Sequence, residues 1–159
     1  MRTRTRTTIG AAAVVLATMA GVTAHATPRS SAGDGIIHLV IEEDGHATFF
    51  DFEHDGLGFG DRLVARSALT NVGGRRVGTA YLDCLIVSEV QQGGKYWCRY
   101  VLDLRGGQIT TEGLDPQGIS DTFFSVTGGT GEYLAAGGQA EFVDSQTQTD
   151  IYISLAPTA

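Results

Sequence analysis

The chain has 159 residues, of which 42% are hydrophobic and 18% are charged, a composition typical of one globular domain. Its 18 acidic and 11 basic side chains give a formal net charge of −7. Nucleic acids and anionic membrane surfaces attract basic patches, so this balance argues against both as partners.

The first 26 residues have the pattern of a secretory signal peptide. Three arginines precede an uncharged apolar run over residues 9–22, and the tripeptide Ala24-His25-Ala26 supplies the small residues of a cleavage site. Cleavage after Ala26 removes no acidic residue, so the mature chain is more acidic still. No later apolar stretch approaches the length of a membrane-spanning helix. We therefore expect a secreted protein without a membrane span.

The remaining chain is predicted to be a flexible leader, residues 27–35, followed by one domain over residues 36–159. The domain consists of short alternating or β-branched runs bounded by glycine. These runs predict eight or nine strands, at residues 36–43, 46–53, 61–70, 77–90, 95–104, 108–112, 122–127, 139–143 and 150–155. No stretch with helical periodicity is long enough to predict a helix.

Consecutive short strands of this kind indicate an all-β antiparallel meander. A meander most simply removes its two open edges by closing into a barrel, and we favour that arrangement. A sandwich of two sheets would also satisfy the pattern.

The two cysteines of an exported domain meet an oxidising environment, so Cys84 and Cys98 are predicted to form a disulfide. The bridge would stabilise the domain by about 2–3 kcal/mol. Pairing the two cysteines across a hairpin also fixes its register. On the other face it places three pairs opposite one another: Asp83 with Arg99, Leu85 with Trp97, and Tyr81 with Val101. The even-numbered face, which includes both cysteines, is predicted to face the interior.

The glycine-rich segment at residues 126–131 resembles a phosphate-binding turn. A dinucleotide-binding unit would need a third small residue at Leu134 and a following helix, and the remaining chain instead has strand patterns. We interpret the segment as a glycine corner between two strands, where the backbone needs a positive φ.

Acidic residues near the first two strands are candidates for a catalytic or a metal site. Residues 51–56 begin like a calcium loop, but Arg62 occupies the position of the required carboxylate, so no metal site is predicted. Glu42 and Glu43 end the first strand on opposite faces. An inward carboxylate would have a raised pKa and could act as an acid or a base; alternatively, both lie on the rim. The chain has no serine-hydrolase or zinc-protease motif.

From residue 60 onward the chain resembles the allene oxide cyclase and dirigent-like barrel family, in its bacterial exported branch. The residues that carry the resemblance are Gly60-Asp61, Val77-Gly78-Thr79 leading to Cys84, Gly106-Gly107-Gln108-Ile109 with Gly113, and residues 126–133 followed by Gly137. The resemblance implies a closed, calycin-type antiparallel barrel of eight strands with an apolar lumen. It also implies no cofactor and assembly as a homodimer or homotrimer.

The resemblance also suggests site residues. The family's glutamate falls at Glu42 or Glu43 and its cavity cysteine at Cys84, while Ser67 and Asp115 stand where the plant cyclases have asparagine and tyrosine. The candidate catalytic residues are Glu42, Glu43 and Tyr100. The candidate ligand-binding residues are Ser67, Leu82, Cys84, Tyr96 and Phe124.

These features predict an enzyme, a cyclase or isomerase that closes a small hydrophobic polyketide- or lipid-like intermediate inside the lumen. An alternative is a non-catalytic, dirigent-like protein that binds or guides such a molecule. A third hypothesis is an interaction protein whose barrel is closed by its own phenylalanines: Phe49, Phe50, Phe52, Phe123 and Phe124.

Overall fold

The computed structural model describes residues 35–42, 45–53, 56–88, 94–116, 121–145 and 147–157. The predicted signal peptide and nearly all of the predicted leader lie outside these residues. The nine strands are β1 (Ile37–Glu42), β2 (His46–Phe50), β3 (Arg62–Thr70), β4 (Arg76–Ile86), β5 (Lys95–Leu104), β6 (Gly107–Pro116), β7 (Asp121–Gly129), β8 (Gly138–Asp144) and β9 (Gln148–Leu155). Each overlaps a predicted strand. One 3-10 turn, Gly131–Tyr133, joins β7 to β8.

The strands form one closed antiparallel barrel. Neighbouring strands follow the order β1-β9-β8-β7-β6-β5-β4-β3-β2, and β1 also pairs with β3, which closes the sheet. Both β1 and β2 pair with β3, so these two strands count as one strand position, and the barrel has eight strand positions in all. A side chain at Gly45, between them, would collide with Ser67 on β3. The structure therefore confirms the predicted closed eight-stranded barrel. It excludes the alternative of a sandwich of two sheets.

The hairpin of β4 and β5 has the predicted register. Cys84 lies opposite Cys98 with their Cα atoms 4.1 Å apart, and the two are joined by a disulfide. Asp83 does lie opposite Arg99, but these two side chains do not form an ion pair with each other. Asp83 instead binds Arg62 on β3, and Arg99 binds Glu112 on β6. On an outer face, a long side chain can reach the strand on either side, so the register alone does not choose its partner.

The inner faces of the strands form the core, and the even-numbered face of β4 and β5 lies inside as predicted. The fully buried side chains with the largest volume are Phe124, Leu69, Ile86, Leu102, Ile109, Ile151, Ile153, Thr111 and Cys98. Of the five phenylalanines expected to close the lumen, only Phe124 is buried. Phe50 and Phe123 are on the outer face, and Phe52 follows the end of β2, so these residues do not fill the barrel.

The glycine-rich segment after β7 is a corner, as predicted. Gly131 has a φ of 61°, and the 3-10 turn folds against the β5–β6 connection through a hydrogen bond from the Glu132 amide to the Gly106 carbonyl, 2.8 Å long. Gly107 has a φ of 142°, and a Cβ there would overlap the carbonyl oxygen of Thr130. We call this end of the barrel, defined by residues 105–107 and 130–134, the corner end.

Within the described ranges, no helix is long and apolar enough to span a membrane.

Replacing Gly107 by alanine should lower the free energy of unfolding by more than about 1 kcal/mol, because the new side chain needs a positive φ and meets backbone atoms. Gly128→Ala is the matched control. Nothing lies within 4 Å of a Cβ at that position, so its effect should stay below about 0.5 kcal/mol. Urea denaturation measures both, and equal stability of the two variants would contradict the proposed packing of the corner.

Candidate functional site

Polar side chains gather on the inner face at the end of the barrel opposite the corner. Tyr96 on β5 lies opposite Asp115 near the end of β6, and Thr122 near the start of β7 donates a 3.2 Å hydrogen bond to Asp115 Oδ1. Asp144, the last residue of β8, shares the inward side of its strand with the buried Phe142. We call this end, defined by Tyr96, Asp115, Thr122 and Asp144, the acid end.

Asp115 is a partly buried carboxyl group on the inner face. Its desolvation raises its pKa above the ordinary value, the hydrogen bond from Thr122 opposes this, and the negative charge of Asp144 adds to the increase. A carboxyl group with a raised pKa holds its proton to a higher pH than an ordinary carboxyl group does, which suits a general acid or base. Among the described residues, Asp115 is the carboxyl group whose pKa is resolved as raised.

Tyr100 lies on the same inner face as Asp115, four residues farther along β5 than Tyr96. Its ring packs against Phe142 and Phe124, with centroid distances of 4.5 and 5.6 Å. Burial raises the pKa of its hydroxyl, and the charges of Asp115 and Asp144 raise it further. The hydroxyl therefore stays protonated and remains a hydrogen-bond donor close to two carboxyl groups.

Thr111 is directly opposite Tyr100 on β6. Its side chain is fully buried, and its Oγ1 has no hydrogen-bond partner within the described structure. Buried hydroxyls are ordinarily paired, so an unpaired one on the inner face is free to bind a polar atom that enters the barrel. Gly113, the next inward residue, leaves room for Phe124, since a Cβ there would lie 2.7 Å from Phe124 Cδ1.

Exposed aromatic residues lie at the same end of the barrel, in β2 and in the connection that follows it. Phe49 occupies the inward side of β2, opposite Leu63, and is half exposed. Phe52 and Phe59 in the following connection are each about two-thirds exposed. The buried Asp61 holds this connection, because its two carboxylate oxygens accept hydrogen bonds from the amides of Phe52 and Gly58, 2.9 and 2.8 Å long. The connection after β2 therefore exposes aromatic side chains, and its backbone is held in place by hydrogen bonds to Asp61.

A second opening lies at the corner end. It is a cavity of about 300 Å³ with an apolar wall of Ile37, Leu39, Val77 and Leu104, and Tyr133 beside them. Arg105 and Glu132 also line it. Burial raises the pKa of the Tyr133 hydroxyl, and the charge of Glu132 adds to this.

Six of the candidate site residues are on the inner face: Ser67, Leu82, Cys84, Tyr96, Tyr100 and Phe124. Cys84 is bonded to Cys98 and has no free thiol. Glu42 lies elsewhere. It pairs with Gln148 on the side of β1 that carries His38, opposite to the side of the buried Leu39 and Ile41, and it is exposed. Glu43 lies outside the described residues.

Asp115 and Asp144 were not among the candidate catalytic or ligand-binding residues predicted from the sequence. The alternation of β6 contains the signal, because Ile109, Thr111, Gly113 and Asp115 all point inward. The predicted strands ended at residues 112 and 143, and therefore stopped short of both acids. The inward-facing positions continue to the last residues of these two strands, at an end of the barrel that is exposed to solvent.

Among the described residues, no group of three or more histidine, cysteine, aspartate or glutamate side chains is arranged to bind a metal ion. Residue 51, the first position of the calcium-like segment, has its Oδ2 3.1 Å from the amide of Gly56, within its own loop.

Comparisons with known proteins identify the fold. No protein-family profile matches the chain, and no curated protein matches it in sequence. Among solved structures, a pyocyanin demethylase is similar with a TM-score of 0.69 and 24% identity, covering 77% of this chain and 100% of that chain. The pterocarpan synthase dirigent protein PsPTS1 has a TM-score of 0.64 at 13% identity, with coverages of 79% and 96%.

The Diels-Alderase AbmU from Streptomyces koyangensis is also similar, with a TM-score of 0.61 and 17% identity over 76% of this chain and 61% of that chain. Identities this low establish a shared fold. The chain therefore has the dirigent-like, allene oxide cyclase-like barrel fold, on which proteins with several different activities are built.

Replacing Asp144 by asparagine should lower the pKa of Asp115, because it removes a negative charge that disfavours ionisation of the neighbouring carboxyl group. A pH titration of the carboxyl carbon by NMR measures this pKa directly. Asp121→Asn is the matched control: Asp121 is exposed on the outer side of β7, and its loss should leave the Asp115 titration in place. An unchanged midpoint in Asp144→Asn would contradict the coupling.

Proposed function

We propose that this protein is a cofactor-independent cyclase or isomerase that holds a hydrophobic reactive intermediate at the acid end of its barrel. The observation that carries the proposal is Asp115, an inward carboxyl group with a raised pKa, on the same inner face as the protonated hydroxyl of Tyr100. The similarity to Diels-Alderase and dirigent barrels supports a reaction of this kind.

Each group has a role in the proposed reaction. In its protonated form, Asp115 gives a proton to a substrate oxygen, and the resulting carboxylate takes a proton back from the cyclised intermediate once the new bond has formed, so the product has the atoms of the substrate. Tyr100 donates a hydrogen bond to the same or a neighbouring oxygen. The rings of Phe124 and Phe142 hold the substrate in a folded conformation, and restriction of its freedom can lower a cyclisation barrier by as much as about 7–11 kcal/mol.

The exposed aromatic residues at the acid end support an apolar substrate. Phe49, Phe52 and Phe59 expose a large apolar area that water solvates poorly, and an apolar molecule would cover it while entering the barrel. Ser67, Leu82 and Tyr96 are proposed to contact the ligand from the wall. A catalytic role for Glu43 stays a prediction, and the outward position of Glu42 supports Asp115 as the acid instead.

We propose secretion as the location of this reaction. The disulfide between Cys84 and Cys98 supports it, because such a bond persists in an oxidising compartment. An apolar intermediate outside the cell would then be surrounded by water, and the closed lumen would exclude that water from the bound molecule.

The second candidate function is dirigent-like binding without catalysis. The cavity of about 300 Å³ at the corner end favours it, because Ile37, Leu39, Val77 and Leu104 give that cavity an apolar wall to which a small molecule can bind. A binding protein would occupy this cavity and leave Asp115 unused.

An oligomer is also proposed. Leu85, Trp97 and Leu114 form one row across β4, β5 and β6 on the outer face, and each is more than one-third exposed. A contiguous exposed apolar patch of this kind is typical of an interface.

Native mass spectrometry of the mature protein from its own culture medium should show a bound apolar small molecule and a dimer or trimer. Ligand retention follows from burial of an apolar molecule, and self-association follows from burial of the outer row. An empty monomer that also fails to take up Nile red would contradict both the ligand and the assembly.

Asp115→Asn should reduce turnover by roughly a hundredfold or more while Nile red binding persists, because the change removes the proton donor and conserves the shape. The assay incubates an apolar extract of the producing organism with the protein. Liquid chromatography with mass spectrometry then detects compounds that change retention time at constant mass, which a cyclisation or isomerisation requires.

Asp121→Asn, an exposed aspartate on the outer side of β7, is the matched control and should convert the extract at the wild-type rate. Nile red binding without any constant-mass conversion by the wild type would instead support the dirigent-like function. Equal conversion by Asp115→Asn and wild type would exclude Asp115 as the acid.

A further inference from the structure

The outer face of the barrel has a pocket of about 410 Å³ over β2, β3 and β4. Its lining residues are Gly45, His46, Arg66, Ser67, Ala68, Arg76, Thr79 and Tyr81. On the outer face the wall contains two arginines, a histidine and the hydroxyl groups of Thr79 and Tyr81, while the side chain of Ser67 points inward; none of these lining residues is acidic. The pocket is outside the lumen, so the proposed reaction does not use it.

The sheet ladder places three of these side chains in one row. Arg66 on β3 lies opposite His46 on β2 and opposite Tyr81 on β4, and residues that are paired across strands share a face. All three are exposed. Arg66 therefore has His46 beside it on one neighbouring strand and Tyr81 beside it on the other.

Arg76 reaches the same pocket from farther along β4. Its Nε lies 3.4 Å from the Gly78 carbonyl oxygen and its Nη2 lies 3.3 Å from Thr79 Oγ1, so the side chain folds back along its own strand. Thr79 is opposite Ala68, two residues from Arg66. Arg66, Arg76 and the small side chain of Ala68 all line this pocket.

Within the described residues, Arg66 and Arg76 differ from Arg62 and Arg99 in their ion pairing. Arg62 and Arg99 each bind a carboxylate on a neighbouring strand. Within the described part of the chain, neither Arg66 nor Arg76 is in an ion pair. A positive pocket of this kind is unusual on a protein whose net charge is −7.

We infer that this pocket binds an anionic oxygen group of a small molecule: a carboxylate, a phosphate or a sulfate. Planar guanidinium groups donate paired hydrogen bonds that match the spacing of two oxygens in such groups. The histidine and the Thr79 and Tyr81 hydroxyls supply further donors around the same space. The volume accommodates an anion together with part of the molecule that carries it.

Isothermal titration calorimetry of the mature protein with sulfate, inorganic phosphate and benzoate, each as the sodium salt at constant ionic strength, tests this site. We expect saturable binding of at least one of them at one anion per chain. The anion that binds identifies the oxygen chemistry. Arg66→Gln and Arg76→Gln should each weaken that binding by roughly tenfold or more, since each removes charged hydrogen-bond donors.

Arg75→Gln is the matched control. Arg75 precedes Arg76 and is equally exposed, but it does not line the pocket, so its loss changes the net charge by the same amount and should alter affinity less than about twofold. All three variants change exposed side chains, and circular dichroism verifies their folding. Absence of saturable binding to all three anions, or an equal loss in Arg75→Gln, would overturn the inference.

This test is independent of the proposed reaction. Conversion of an apolar extract depends on Asp115 inside the barrel, and anion binding depends on two arginines outside it. Either result can fail while the other holds.

Discussion

The structure depends on the backbone hydrogen bonds that β1 makes on both of its sides. Ile41 pairs with Thr149 of β9 and with Leu69 of β3, so the first described strand joins the last strand to the third and leaves no open edge there. Once the ladder is closed, every strand has an enclosed side and a solvent side. Residues on the enclosed side form the apolar core and the acid end. Residues on the solvent side include Arg66, which lines the outer-face pocket together with Arg76.

The same constraint explains which parts of the fold were predictable from sequence. Alternation identified the strands, and the pairing of Cys84 with Cys98 fixed the β4–β5 register and its inner face, because one pair determines every other pair in a regular hairpin. Asp83 was correctly placed opposite Arg99, but the register did not predict that each side chain would bind a partner on its other neighbouring strand. Phe50 and Phe123 lie on the outer face, because hydrophobicity alone does not give the parity of a residue in its strand.

The candidate site was harder to predict than the fold. Tyr100 and Phe124 were correctly placed on the inner face because they lie within regular strands. Asp115 and Asp144 were missed because they occupy the last inward positions, where strand boundaries are the least certain part of a prediction and where an acid resembles a turn residue. The irregular register between Leu69 and Thr70, and between Thr110 and Thr111, likewise has no clear sequence signal.

The ladder that closes this barrel is made of backbone atoms alone, and this has an evolutionary consequence. Side chains at the inward ends of strands can be exchanged without removing any of the hydrogen bonds that hold the strands together. Selection can therefore act on chemistry and on folding almost separately, in contrast to enzymes whose reactive groups also support the core. A descendant of this chain could acquire a new substrate through a few changes beside the mouth and keep the same scaffold. This separation gives a physical reason why one barrel serves a demethylase, a dirigent protein and a Diels-Alderase.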